Sequence, residues 1–188
     1  MTATFDLKAL TVGDLVTSGK GGKSALLSYN GAPVVWTPEP QAVQFEPTSF
    51  SGEDVSRVNL VLRASPEALQ QLEALDERIC SLVAENSQKL FGKALSEQEV
   101  RARYTPCIKR SEKGHAPTFK VKINLSGRGA VRCWDLEKKP REQPESWVTC
   151  TVQPRITLKS IWLMSKDWGC LLECSDLMVD EAVQDCPF

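Results

Sequence analysis

Histidine occurs once in these 188 residues, at His115. A single imidazole in a Lys-Gly-His-Ala-Pro loop offers little to a catalytic dyad or a histidine-based metal site. The sequence also lacks His-Glu-x-x-His, Gly-x-Ser-x-Gly and Gly-x-Gly-x-x-Gly. The common signatures of zinc hydrolases, α/β-hydrolases and dinucleotide enzymes are therefore missing. Adjacent acids such as Glu53-Asp54 and Asp180-Glu181 point apart rather than converge on one substrate atom. No run of about eighteen apolar residues is present, so no membrane-spanning helix is read. The opening MTATFDLKAL lacks a basic segment followed by an apolar block, the pattern of a secretory signal. The seven cysteines are scattered and odd in number. They fit reduced thiols in a reducing, cytoplasmic compartment. Cys170 and Cys174 would stand about 13 Å apart along a strand, too far to share one zinc. The expectation is a non-enzymatic protein without cofactor, metal or membrane partner.

Lysine and arginine are absent after Lys166, where Asp167, Glu173, Asp176, Asp180, Glu181 and Asp185 supply the charge. The compensating excess lies in one stretch, Arg101 to Trp134. It carries nine basic residues against the single acid Glu112, although the whole chain has a net charge of -1. Tyr104, Phe119 and Trp134 stand among those cations. Cations track a phosphate backbone, and flat rings offer unpaired bases a surface to stack on. A solvated basic face beside an ordinary core is the bland alternative.

Along the chain, Ser18 to Ser24 (SGKGGKS) is a glycine-rich basic loop. It ends like a phosphate-binding loop, but Thr17 occupies the position of the required first glycine. Ala25 to Trp36 reads as a hairpin around Asn30-Gly31, because both turn positions tolerate positive φ. Pro38 to Pro47 reads as a proline-punctuated connection. Arg57 to Arg63 is a strand, with Val58, Leu60 and Leu62 facing one way. A long helix follows. Ser65 caps it, Pro66 and Glu67 suit its first turn, and Leu69, Leu72, Leu75, Ile79, Leu82 and Val83 form its buried stripe. Gly92 breaks the pattern. Ser96 and Glu99 form a capping box that starts a shorter helix.

From Thr118 the period is two: Phe119, Val121 and Ile123 alternate with Lys120, Lys122 and Asn124. Ser126 to Gly129 is a turn, and Val131 and Cys133 alternate with Arg132 and Trp134. Pairing of these two strands would put Lys120, Lys122, Arg132 and Trp134 on one platform. Trp147 to Thr151, Arg155 to Ser165 and Trp168 to Val179 complete the strands, the last two joined by a tight hairpin at Ser165-Lys166-Asp167. The pattern predicts a mainly β (α+β) fold, a small and largely antiparallel barrel with one long inserted helix.

The chain ends Asp185-Cys186-Pro187-Phe188. This end resembles the acidic, Pro-Phe tip of bacterial single-stranded DNA-binding proteins. It is also similar to the acidic, Phe-ended tails of tailed-phage single-stranded DNA-binding proteins with a single oligonucleotide-binding (OB) fold. Tyr104-Thr105-Pro106, the Phe119-to-Lys122 strand and the closing hairpin around Ile161-Trp162 and Trp168-Gly169 resemble the core of that phage and large-DNA-virus group. Cys186, where an aliphatic residue is usual, and the short, sparse acidic stem depart from the pattern.

The resemblance implies an OB-fold-like domain over residues 1–179, with its helical insertion at about 65–103, and an acidic tail over 180–188. It implies sequence-tolerant binding of single-stranded DNA during replication or recombination. It further implies recruitment of polymerase or helicase/primase through Asp185, Pro187 and Phe188. The DNA-binding residues expected are Arg103, Tyr104, Lys109, Arg110, Lys120, Lys122, Arg132 and Trp134. The alternative is a protein-interaction or virion structural module with a basic face.

Overall fold

The computed structural model describes residues 7–19, 21–49 and 56–181. Strands β1 (Leu10–Thr17), β2 (Lys23–Tyr29), β3 (Val34–Trp36), β4 (Gln41–Thr48) and β5 (Arg57–Arg63) come first. Helices α1 (Pro66–Glu85), α2 (Ser87–Phe91) and α3 (Glu97–Arg101) follow. Then come β6 (Tyr104–Thr105), β7 (Ile108–Lys109), β8 (Thr118–Asn124), β9 (Arg132–Trp134), β10 (Pro140–Arg141), β11 (Cys150–Leu163) and β12 (Trp168–Glu181). The fold is thus mainly β, with helices between β5 and β6.

The strands form one sheet whose central pairings return on themselves. β4 pairs with β5, β5 with β8, β8 with β12, β12 with β11, and β11 again with β4. Each step is antiparallel except β8–β12, a parallel contact at Lys122 and Glu173. Alternation sets what this ring encloses. Leu60, Phe119, Val121, Ile156, Leu158 and Leu177 all point inward and are fully buried. The hairpin β1–β2 extends the sheet beyond β11.

Helix α1 forms where its caps and stripe predict. Ser65 accepts from the Ala68 amide, and Leu72, Leu75, Ile79 and Val83 are buried in the common core. The helix is tied to the sheet by Trp36, whose Nε1 donates to Gln71 Oε1 at 2.8 Å. Gly92 ends α2 at φ 74°, a left-handed conformation that glycine adopts without a Cβ clash. The Ser96–Glu99 capping box is complete. Among the described residues, no helix is long and apolar enough to cross a membrane.

Several sequence expectations are corrected. Strands β8 and β9 are not neighbours, because β12 lies between them. The Asn30-Gly31 turn forms with φ values of 50° and 80°, but Val34–Trp36 then pairs with β11 instead of returning along β2. The stretch expected as a connection contains β4, with Gln41 and Val43 buried. Its ladder shifts register between Phe45 and Thr48, so Pro47 sits at an irregularity where a missing amide is tolerated. Of the two strands expected over 147–165, Trp147 to Thr149 form a turn and Cys150–Leu163 is one strand, β11, running through Pro154. That residue is opposite Leu177 of β12 on one side, and on the other it falls between the β4 and β3 pairings, where no strand is paired with it. The glycine-rich loop is the turn of the β1–β2 hairpin, with Gly22 N donating to Ser18 Oγ at 3.1 Å. A strand follows it, not the helix that a nucleotide phosphate loop requires.

Candidate nucleic-acid interface

Residues paired across neighbouring strands share a face. Inward-pointing residues of β5 and β8 are apolar, so the outward set follows from the register. Val61 is opposite Lys120, Asn59 opposite Lys122, and Arg57 opposite Asn124. Phe45 on β4 is opposite Val61, which gives an outward row Phe45–Val61–Lys120. The Phe45 side chain is 56% exposed. Lys109 joins the same face through its pairing with Thr118.

β12 adds carboxylates to this face. Glu173, opposite Lys122, takes the guanidinium of Arg57 and lies 3.7 Å from Lys159 Nζ. Asp176 holds Arg132 (Nε to Oδ1, 2.7 Å) and lies 4.0 Å from Arg155. Burial raises the Asp176 pKa, but hydrogen bonds from Arg132, Ser175 and Trp134 outweigh it and hold the carboxyl below its ordinary value. Each acid is thus shared by two cations. Among the described residues Lys109, Lys120 and Lys122 form no ion pair, and the face keeps a positive excess. Burial, with the charges of Arg57 and Lys120, lowers the Lys122 pKa. The site is a set of like charges without enough counter-charge of its own.

A groove of about 290 Å³ opens beside these lysines, where β7 and β8 part from β12. Pro106, Lys109, Lys120, Trp162 and Cys170 line it, with Phe119 and Leu172 also contributing. The half-buried Trp162 side chain lies against Gly169, where a Cβ would stand 2.6 Å from its Cζ2. The glycine allows the indole to lie close to the backbone while bordering the groove.

The sequence-predicted residues divide into two groups. Lys109, Lys120 and Lys122 converge as described. Arg132 and Trp134 lie across β12 from β8, on the far side of Glu173 and Asp176. There Trp134 Nε1 donates to Asp176 at 3.1 Å, and the Arg132 guanidinium sits 5.9 Å from the Trp134 ring. This second ring is half-buried and separated from the lysines by the carboxylates.

The others serve the fold. Tyr104 packs on Trp168 with ring centroids 4.5 Å apart, and its hydroxyl donates to Asp76 at 2.5 Å. Burial, with the nearby Cys107 and Asp76, raises the Tyr104 phenol far above its ordinary pKa. Its ring is tucked under α1 instead of facing solvent. Arg110 pairs with Glu73 of α1. Arg103 donates to the carbonyls of Ser165 and Lys166, at 3.0 and 2.8 Å, and lies over the Phe91 ring. The first half of the basic stretch therefore joins β6 and β7 to the acidic side of α1 and to the β11–β12 hairpin. Asp185, Pro187 and Phe188 lie outside the described residues.

Sequence reasoning missed Arg57, Phe45, Arg155, Lys159 and Trp162. For Arg57, Arg155 and Lys159 a signal existed, because each alternates with buried neighbours. Phe45 sat in a segment not recognised as a strand. The place of Trp162 depends on Gly169 and on the divergence of β8 from β12.

No protein-family model matches this sequence, and none of the curated proteins matches it. Solved structures do match. The single-stranded DNA-binding protein from bacteriophage Enc34 superposes with a TM-score of 0.50 at 12% identity, over 93% of this chain and 93% of that one. Its C-terminally truncated form gives the same TM-score and identity, over 93% and 98%. The T7 single-stranded DNA-binding protein gp2.5 gives 0.48 at 13% identity, over 80% of this chain and 93% of its own. The chain shares the fold of the Enc34 protein.

Proposed function

We propose that this chain is a non-enzymatic, sequence-tolerant single-stranded DNA-binding protein of phage type. The observation that carries the reading is the face bearing Lys109, Lys120 and Lys122, which form no ion pair among the described residues, together with the exposed ring of Phe45 and the half-buried ring of Trp162. Phosphates would neutralise the lysines, and bases would stack on the rings. Such binding reads little sequence, because every base has a flat face. Arg57 and Lys159 would turn from Glu173 towards phosphate at small cost, since exposed ion pairs are worth about 0–1 kcal/mol. Arg132 and Trp134 would extend the path past Asp176.

The fold supports this reading. Numbered by their order in the chain, the ring strands β4, β5, β8, β11 and β12 pair as first-second-third-fifth-fourth-first, with third and fifth parallel. We infer that this is an OB-type barrel over residues 1–179, carrying its helical insertion between second and third strands. OB barrels bind oligonucleotides on the face of strands two and three. Here those are β5 and β8, which carry Arg57, Lys120 and Lys122. The Enc34 protein, whose fold this chain shares, has also been solved in complex with single-stranded DNA.

The cellular role would be to keep separated strands unpaired during phage replication or recombination in the host cytoplasm. Asp180 and Glu181, expected in the tail, instead end β12 opposite Thr151 and Cys150, and the chain beyond them would recruit polymerase or helicase/primase through Asp185, Pro187 and Phe188. Titration of tryptophan fluorescence with oligo-dT at two salt concentrations tests the central reading. Quenching that weakens steeply with salt is expected. Its absence at low salt would leave the interaction or virion module as the better account.

A further inference from the structure

A second cleft lies beyond the β11–β12 hairpin, with a volume of about 640 Å³. Its walls come from three places: the β1–β2 turn (Gly21, Lys23), the end of α2 (Lys89 to Lys93) and the hairpin (Leu163 to Ser165). Four of its lining residues are basic, Lys23, Lys89, Lys93 and Arg103, and none is acidic. Arg103 fixes the cleft, because its guanidinium holds the hairpin carbonyls while lying 5.4 Å from the Phe91 ring. Lys89 is held by Asp14 at 2.9 Å. Lys23 and Lys93 are exposed and, among the described residues, form no ion pair. Met164, 66% exposed, stands at the rim.

The position of this cleft is as informative as its charge. Trp162 and Leu163 are consecutive in β11, yet Trp162 lines the groove on the proposed DNA face and Leu163 lines this cleft. The two depressions flank the end of one strand, with the tip at Met164 to Asp167 between them. A chain of phosphates leaving Trp162 meets no lining carboxylate on the far side of that tip.

We propose that single-stranded DNA passes from the sheet face over the β11–β12 tip and lays its next phosphates against Lys23 and Lys93. This inference rests on the proposed DNA-binding reading and lengthens its path. Two unpaired lysines with no acid among the lining residues suit a polyanion, and the apolar floor of Leu15, Leu90 and Phe91 suits the flat part of a nucleotide. The glycine-rich turn then has a role that its failed nucleotide-loop pattern could not supply: it presents Lys23 at the mouth of the cleft.

The test compares the full chain with a Lys23→Ala/Lys93→Ala double variant. Both substitutions are on exposed side chains, and matching circular dichroism establishes an intact fold. Affinities are measured over a salt series for oligo-dT of about 6 and about 16 nucleotides, near the ends of the range for one OB barrel. On the long oligonucleotide the slope of log K against log salt should become shallower by about 1.4, two phosphate contacts' worth. On the short one it should be unchanged. Equal slopes on the long oligonucleotide, with the short one still bound, would overturn the cleft proposal and leave the face reading standing. Failure of the unsubstituted chain to bind either oligonucleotide would overturn both. Capture of an acidic, Phe-ended peptide that the double variant loses, with the long-oligonucleotide slope unaltered, would overturn the proposal in favour of a protein ligand.

Discussion

Trp162 lies against the bare Cα of Gly169, where an added Cβ would stand 2.6 Å from the indole Cζ2 and 3.1 Å from the Thr105 carbonyl oxygen. Neither neighbour gives way easily, since one is a rigid ring and the other is backbone. Gly169→Ala should therefore push the indole out of place and destabilise the protein by about 1–3 kcal/mol, the usual cost of overpacking. Near-UV circular dichroism and chemical denaturation check this. Oligo-dT affinity should fall with it, to a level similar to that of Trp162→Ala, for which one lost stacking partner costs about 1–3 kcal/mol. If Gly169→Ala shifted stability while Trp162→Ala left binding intact, Trp162 would be a packing residue only.

Lys120→Ala and Lys122→Ala should each reduce the salt slope of binding by about 0.7. Arg110→Ala should leave the slope nearly unchanged, because that guanidinium already pairs with Glu73. A slope change at Arg110 as large as at Lys120 would place the DNA path along α1 instead of along β8.

The lowered Lys122 pKa gives binding a pH dependence with a definite sign. Burial and the charges of Arg57 and Lys120 disfavour its ammonium form in the free protein, whereas a bound phosphate favours it. Binding near that pKa therefore takes up protons. Affinity is full below it and declines as pH rises through it, before an ordinary lysine near pH ~10.4 would discharge. Lys122→Arg, which stays charged, should remove this early decline. Isothermal titration in buffers of different ionisation heat reads the proton uptake directly.

Tyr104 and Asp76 should affect stability and not DNA binding. Tyr104→Phe removes the donor to Asp76 and should cost about 1 kcal/mol, with oligo-dT affinity unchanged. Asp76 is mostly buried, and desolvation raises its carboxyl pKa despite hydrogen bonds from Tyr104 and Cys107. The folded state then holds this proton more tightly than the unfolded state does. Its stabilising contribution is full below the unfolded pKa of about 3.9 and is lost as pH rises through the higher folded value. Asp76→Asn should flatten that part of the stability–pH curve in urea titrations.

Deletion of residues 186–188 should leave oligo-dT affinity equal or higher and abolish capture of a replication partner. Cys186, Pro187 and Phe188 carry no charged side chain, so their loss removes no cation that could meet a phosphate. A fall in affinity would mean that the final residues belong to the binding domain.

Local rules made much of this protein legible from its residues. The cap at Ser65, the stripe from Leu72 to Val83, the stop at Gly92 and the Ser96–Glu99 box all act within a turn or two of helix. The outward placement of Lys120 and Lys122 needed only the period of a strand. The same local signals misled where proline was concerned. Pro47 and Pro154 sit inside strands because the ladder is irregular beside the first and unpaired on one side of the second.

The fate of the basic stretch was decided by partners far along the chain. Tyr104 meets Asp76 across 28 residues, Arg110 meets Glu73 across 37, and Arg103 meets Lys166 across 63. No local period encodes such pairs, so cations that looked equivalent in sequence divide into those stitched to α1 and those left facing solvent. The order of strands is likewise a tertiary matter: β12 comes between β8 and β9 and brings Glu173 and Asp176 into the platform. Residue types and spacing determined that this chain is mainly β with an outward row of lysines. Only the pairing order of the strands decided which rings and charges face the same water, because that depends on which edges meet.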